Sequence, residues 1–167
     1  AGRNVKFTSS GGTIINVGND VIHVFTSPGT LTFAGIYDDA KVLLVGGGGA
    51  GGTNEGCGHY AMGGGGAGGM ISLTGQTYTA GSYPITIGDG GTPDSPGHGD
   101  ARRGGNGDPS TAFGLTASGG GGGGGGPNQA GIPGGSGGGG GSIGSGGAKG
   151  DGDKQTGTST AASPSPQ

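Results

Sequence analysis

Lys41-Val42-Leu43-Leu44-Val45-Gly46-Gly47-Gly48-Gly49-Ala50-Gly51-Gly52 sets the two textures of this chain side by side. The first half is a short run of β-branched and aliphatic residues, which suits a pleated, buried strand. The run is apolar on both faces, so the sequence predicts a central strand, covered on both sides as in a sandwich. The second half is almost pure glycine, and the switch occurs at one residue. Toward the C-terminus, the same two textures alternate.

Toward the N-terminus, residues 1–45 read as β-structure. Residues 13–17 and 21–25 flank Gly18-Asn19-Asp20, a hairpin turn signal. Ser27-Pro28-Gly29 marks a second turn, and residues 30–33 a third strand. Tyr37-Asp38-Asp39 is expected to turn the chain into the strand at 41–45. Toward the C-terminus, strand signals return at 70–73 and 82–87, and a single last strand is expected over 111–117. Pro84 lacks an N–H and points its strand to a sheet edge. No segment carries helical periodicity.

Between these strands lie glycine tracts at 46–52, 63–69, 119–126 and 134–147, the third being eight consecutive glycines. Glycine supplies 53 of the 167 residues, hydrophobic residues only 27%. Such a chain is either low-complexity and disordered or a packed array in which glycine is structural. The apolar clusters and their alternation with the tracts favour the array. A polyproline II chain has three residues per turn and no internal hydrogen bonds. Without side chains, neighbouring chains can approach and exchange N–H···O=C bonds laterally. The expected fold class is therefore all-β: a short-strand, sandwich-like sheet followed by polyglycine II helices, with essentially no α-helix. The expected organisation is a strand region at 1–45, a glycine-rich domain at 46–147, and an extended Ser/Thr/Pro tail at 148–167. Ordinary core burial looks too small for the ordered length, so a homo-oligomer or larger particle is expected, with residues 156–167 touching a neighbour.

The formal net charge is −3, and the only adjacent basic pair is Arg102-Arg103, which disfavours nucleic acid as a partner. One cysteine excludes an intramolecular disulfide framework. The apolar runs are too short for a transmembrane helix, and no signal peptide is visible at the N-terminus.

Chemical motifs are thin. Gly46, Gly48 and Gly51 satisfy a dinucleotide-loop spacing after an apolar strand, but the mechanism needs a helix next, and Gly52-Thr53-Asn54-Glu55 starts none. Glu55, Cys57 and His59 alternate and with His98 could form half a metal site; a solvent-facing turn with a free thiol is the simpler reading. Gly104-Gly105-Asn106-Gly107-Asp108 resembles one calcium β-roll repeat, with no tandem copy. His23 reads as a strand residue, and no nucleophile, base and orienting group pair up. Neither an enzyme nor a cofactor is expected. A glycine array offers no side chains to read a ligand, so any recognition falls to the loops at 53–62 and 88–109. These carry Glu55, His59, Tyr60, His98, Asp100, Arg102, Arg103 and Asn106.

Residues 23–33, then 42–52, 83–91, 104–107 and 113–126, resemble in order the glycine-rich domain of bacteriophage tail-fibre and related virion proteins. The resemblance implies a location on the virion surface and other virion proteins as partners. It also implies an adhesive role in which tip loops meet a host cell-surface glycan. Two alternatives stand beside it. One is a capsid decoration or filament-forming subunit without receptor specificity. The other is an ice-binding protein, which would want regular rows of small residues that this sequence lacks.

Overall fold

The computed structural model describes residues 8–54, 61–93, 101–126 and 129–141. Glu55, Cys57, His59, Tyr60, His98, Asp100, the end of the last glycine tract and the tail at 156–167 lie outside these residues. Among the described residues there are eleven strands and no α-helix.

The strands form antiparallel sheets. The largest has the order β1 (Ser9–Ser10), β4 (Gly29–Phe33), β8 (Gly81–Thr86), β10 (Ser110–Ala112) and β11 (Leu115–Ala117). A second sheet pairs β5 (Tyr37–Val45) with β7 (Met70–Tyr78). Their facing sides supply one core: Leu31, Phe33, Ile85, Ala112 and Ala117 from the first, Leu44 and Ile71 from the second. An aromatic group closes the core. Tyr78 stacks on Phe113 at 4.2 Å between centroids and meets Tyr83 at 5.9 Å, and Phe33 lies 4.6 Å from Tyr37. This is the expected sandwich-like arrangement, built from strands on both sides of the first glycine tracts.

The hairpin is β2 (Thr13–Val17) and β3 (Asp20–Val24), closed by Gly18-Asn19 alone, since Val17 pairs with Asp20. Gly18 has φ 61°, as the first position of a type II′ turn requires.

Four strand expectations are corrected. The 82–87 strand is not at an edge: β8 sits between β4 and β10. However, the β10 ladder reaches only Ile85 and Thr86, so at Pro84 the strand is paired on the β4 side alone. The missing N–H falls where β8 is locally an edge. Next, β5 is not central. It pairs with β7 only, with Leu44 buried on one face and Leu43 and Val45 exposed on the other. Third, 37–39 makes no turn ahead of β5 but belongs to it. Asp39, at φ 56°, sits at a register shift between Tyr37 and Ala40, a conformation Asp tolerates. Finally, 111–117 is a hairpin. Phe113 and Gly114 take φ 54° and 76° between Ala112 and Leu115, a type I′ pattern. Phenylalanine is a poor residue there, and its stacking on Tyr78 offsets the strain.

The glycine tracts bond laterally, and the bonds recur every three residues. Gly46, Gly49 and Gly52 donate to Gly69, Gly66 and Gly63. Gly63, Gly66 and Gly69 donate in turn to Gly124, Gly121 and Ser118. Gly120 and Gly123 donate to Gly47 and Ala50, whereas Gly121 and Gly124 donate to Ser136 and Gly139. Each residue along a tract thus faces a different neighbour from the next, and the fourth faces the first one's neighbour again. That is the period a polyproline II chain would have. The segment around 119–126 is the hub, with Gly120 through Gly126 all buried.

The expected long loop at 88–109 contributes two more segments to this bundle. Gly91 donates to Gly48, Asp108 to Asp89, Gly104 to Gly123 and Gly107 to Gly120. Buried Ser110 joins them, its Oγ accepting from Gly88 N at 2.9 Å. The reason is steric. A Cβ on Gly88, Gly91, Gly104 or Gly107 would run into neighbouring backbone, so these glycines are there for close approach.

Candidate functional site: the loop end of the glycine bundle

The bundle has two ends. At one, Gly46, Gly69 and Ser118 adjoin β5, β7 and β11. At the other, the hydrogen bonds run through Gly52, Gly63, Gly104, Gly123, Gly124 and Gly139. Beyond that second end the chain enters both candidate loops, and they are tied together there. Strand β6 (Thr53–Asn54) pairs antiparallel with β9 (Ala101–Arg102), with Thr53 opposite Arg102 and Asn54 opposite Ala101. The stretches that carry Glu55, His59 and Tyr60 on one side, and His98 and Asp100 on the other, therefore leave from one ladder.

The described candidates divide. Arg102 and Arg103 are exposed at this end. The backbone of Arg102 packs against Gly125, where a Cβ would overlap it, so the arginines are mounted directly on the hub segment. Asn106 sits further in. Its Oδ1 accepts from Gly122 N at 2.9 Å, which commits its carbonyl to the bundle. The sequence reading missed Gln129. Its Oε1 accepts from Gly125 N at 3.2 Å and its backbone N–H donates to Gly126 O, closing the hub's end. A lone glutamine after Gly-Pro-Asn was the only signal available. Among the described residues no group of acidic, His or Cys side chains could hold a metal ion; Glu55, Cys57, His59 and His98 lie outside them. No helix among them is long and apolar enough to cross a membrane.

One further arrangement has chemical content. Ser9 Oγ lies 2.7 Å from His23 Nε2, and His23 Nδ1 lies 2.7 Å from Gly11 O. A carbonyl only accepts, so Nδ1 carries a proton, and in the neutral ring Nε2 then accepts from the serine. The geometry is that of a nucleophile, base and orienting group. The neighbouring cavity of about 260 Å³ is lined by residues 12–13 and 24–30, so a substrate seated there would not touch the pair. The bonds act as a tether that holds the hairpin to β1.

A glycine-rich domain matches residues 26–166. The chain belongs to that family. The match covers the core, the bundle and both loops, and leaves out β1 and the whole hairpin. No curated protein and no solved structure was found to match this glycine-rich domain protein. The fold is thus described from its own residues.

Proposed function

We propose that this glycine-rich domain protein is a structural subunit of a virion surface, a tail-fibre or adhesin component that presents its loop end to a host cell-surface glycan. The observation that carries the reading is the β6–β9 ladder, which pairs Thr53–Asn54 with Ala101–Arg102 at the bundle end away from the core and so brings together the points where the two candidate loops join the bundle. Glycine segments supply reach and stiffness without side chains, so specificity must come from what the loops add. Arginine forks suit sugar hydroxyls, carboxylates and phosphates, and a tyrosine or histidine ring suits a sugar face. The strand end is left to contact the rest of the particle.

The test is competition. Purified protein should block adsorption of the parent particle to its host cells. Replacing Tyr60, Arg102 and Arg103 together by Ala should weaken the block at least about tenfold, the loss of two or three charge-assisted and ring contacts, with folding unchanged. Equal blocking by the triple variant would refute recognition at this end. It would favour the second reading, a decoration or filament-forming subunit without receptor specificity. That reading draws on the exposed aliphatic surfaces of the strand region.

A further inference from the structure

Among the described residues, an apolar face of the hairpin and one of the β5–β7 pair have no covering layer. Cross-strand pairing places Ile15, Val17, Ile22 and Val24 on one face with Thr13 and Asp20. All four aliphatics are exposed, Val17 at 57%. A two-stranded ribbon is marginal in water without a further layer, and β2 and β3 contact chiefly each other. The second is the outer face of the β5–β7 pair, where Leu43, Val45 and Met70 are 67%, 50% and 62% exposed and Lys41 and Ser72 point the same way.

The two faces complement each other. Along β3 the outward row is Asp20, Ile22, Val24; along β5 it is Lys41, Leu43, Val45. Each is one charge followed by two aliphatics at spacing two, and the charges are opposite. Sheets stacked face to face with their strands nearly aligned interdigitate such rows. In parallel alignment Asp20 meets Lys41, Ile22 meets Leu43 and Val24 meets Val45. Asp20 is the only carboxylate on the hairpin.

We infer that the hairpin of one copy docks on the outer β5–β7 face of a second copy. The two faces differ, so the contact is heterologous and leaves one hairpin and one acceptor face open at the ends of any assembly that has not closed. Copies then extend head to tail into a ring or filament. The contact uses neither candidate loop, so it stands or falls independently of the receptor reading.

The experiment is sedimentation velocity on the full chain across a wide concentration range, with circular dichroism as the folding control. The wild type should grow beyond a dimer as concentration rises. Ile22→Asp, which spoils the hairpin, and Leu43→Asp, which spoils the acceptor, should each be folded and monomeric. Mixed one to one, they should form a dimer that cannot extend, because each partner keeps one intact face. Asp20→Lys and Lys41→Asp should each shift the association at least tenfold to higher concentration, and the double exchange should recover it. A wild type that stays monomeric throughout would overturn the inference. So would a mixture of Ile22→Asp and Leu43→Asp chains that fails to dimerise, or a Lys41→Asp chain that associates as the wild type does. Those results would assign the hairpin to another occupant or to hairpin–hairpin pairing.

Discussion

Gly122 and Gly64 undergo the same chemical change when replaced by Ala, and opposite results are expected. Gly122 lies in the buried hub. A Cβ there would overlap the carbonyl oxygen of Gly104 and lie 2.6 Å from its carbon. Carbon atoms in contact settle at roughly 3.5–4.0 Å, so the two segments must part by about 1 Å. The bonds between these two segments are Gly104 N to Gly123 O at 2.8 Å and Gly122 N to Asn106 Oδ1 at 2.9 Å. A 1 Å separation takes both beyond hydrogen-bonding range. Two such bonds contribute about 1 kcal/mol each, and overpacking costs about 1–3 kcal/mol more. Against this, Ala restricts the unfolded chain and contributes about 0.4–1 kcal/mol. The net loss for Gly122→Ala is about 2–5 kcal/mol. At Gly64 a Cβ meets nothing within 4 Å, and φ is not positive. Gly64→Ala therefore keeps only the entropic term and should be neutral to about 1 kcal/mol stabilising. Urea titration followed by far-ultraviolet circular dichroism measures both. Equal loss in the two variants, or less than about 1 kcal/mol lost at Gly122, would refute close backbone approach as the reason for glycine in the hub.

Two more expectations test the join between core and bundle. Ser110→Ala leaves the N–H of Gly88 without the serine oxygen at a buried site; the loss should be about 1–3 kcal/mol, read from the same urea midpoint, with Ser110→Thr recovering part of it if the larger side chain fits. Tyr78 has its phenol pKa raised above 10.0, first by burial and second by the neighbouring Tyr83. Its contribution to stability is full below pH 10.0 and is lost as pH rises through the folded-state value. Absorbance at 295 nm should show a tyrosine ionisation displaced above pH 10.0 that is lost in Tyr78→Phe, and the thermal midpoint should fall over that same interval.

The sequence made the hairpin, the strands and the long glycine runs legible because each has a local signature. Gly18-Asn19 marks a turn between β-branched runs, and eight glycines admit few packed arrangements. What was hidden depended on partners distant in the chain. Gly88, Gly91, Gly104 and Gly107 look like turn punctuation. Only their spacing of three, matched to the bundle's period, marks them as bundle segments. Phe113 concealed the β10–β11 hairpin, because a bulky residue at positive φ contradicts local preference and is held by Tyr78. The double-sided apolarity of residues 41–45 reads equally as a buried strand or as a strand with one face exposed. For the loop end, the residue types were visible, but the pairing of Thr53–Asn54 with Ala101–Arg102 depends on partners distant in the chain. Asn106 illustrates the converse: a polar residue in a loop-like stretch reads as a surface contact, yet its oxygen serves the hub.

The three-residue recurrence also governs which length changes the chain can absorb. Gly120 and Gly123 address one neighbour, Gly121 and Gly124 a second, while Gly119 and Gly122 accept from a third. Inserting one residue at the start of this stretch shifts everything after it by one place in the three-residue recurrence, so each donor meets the wrong segment and the mismatch runs to the end of the tract. Inserting three restores the phase. The tracts thus have something like a reading frame, in which changes of one or two residues scramble the message and changes of three preserve it. The loops between them are under no such rule.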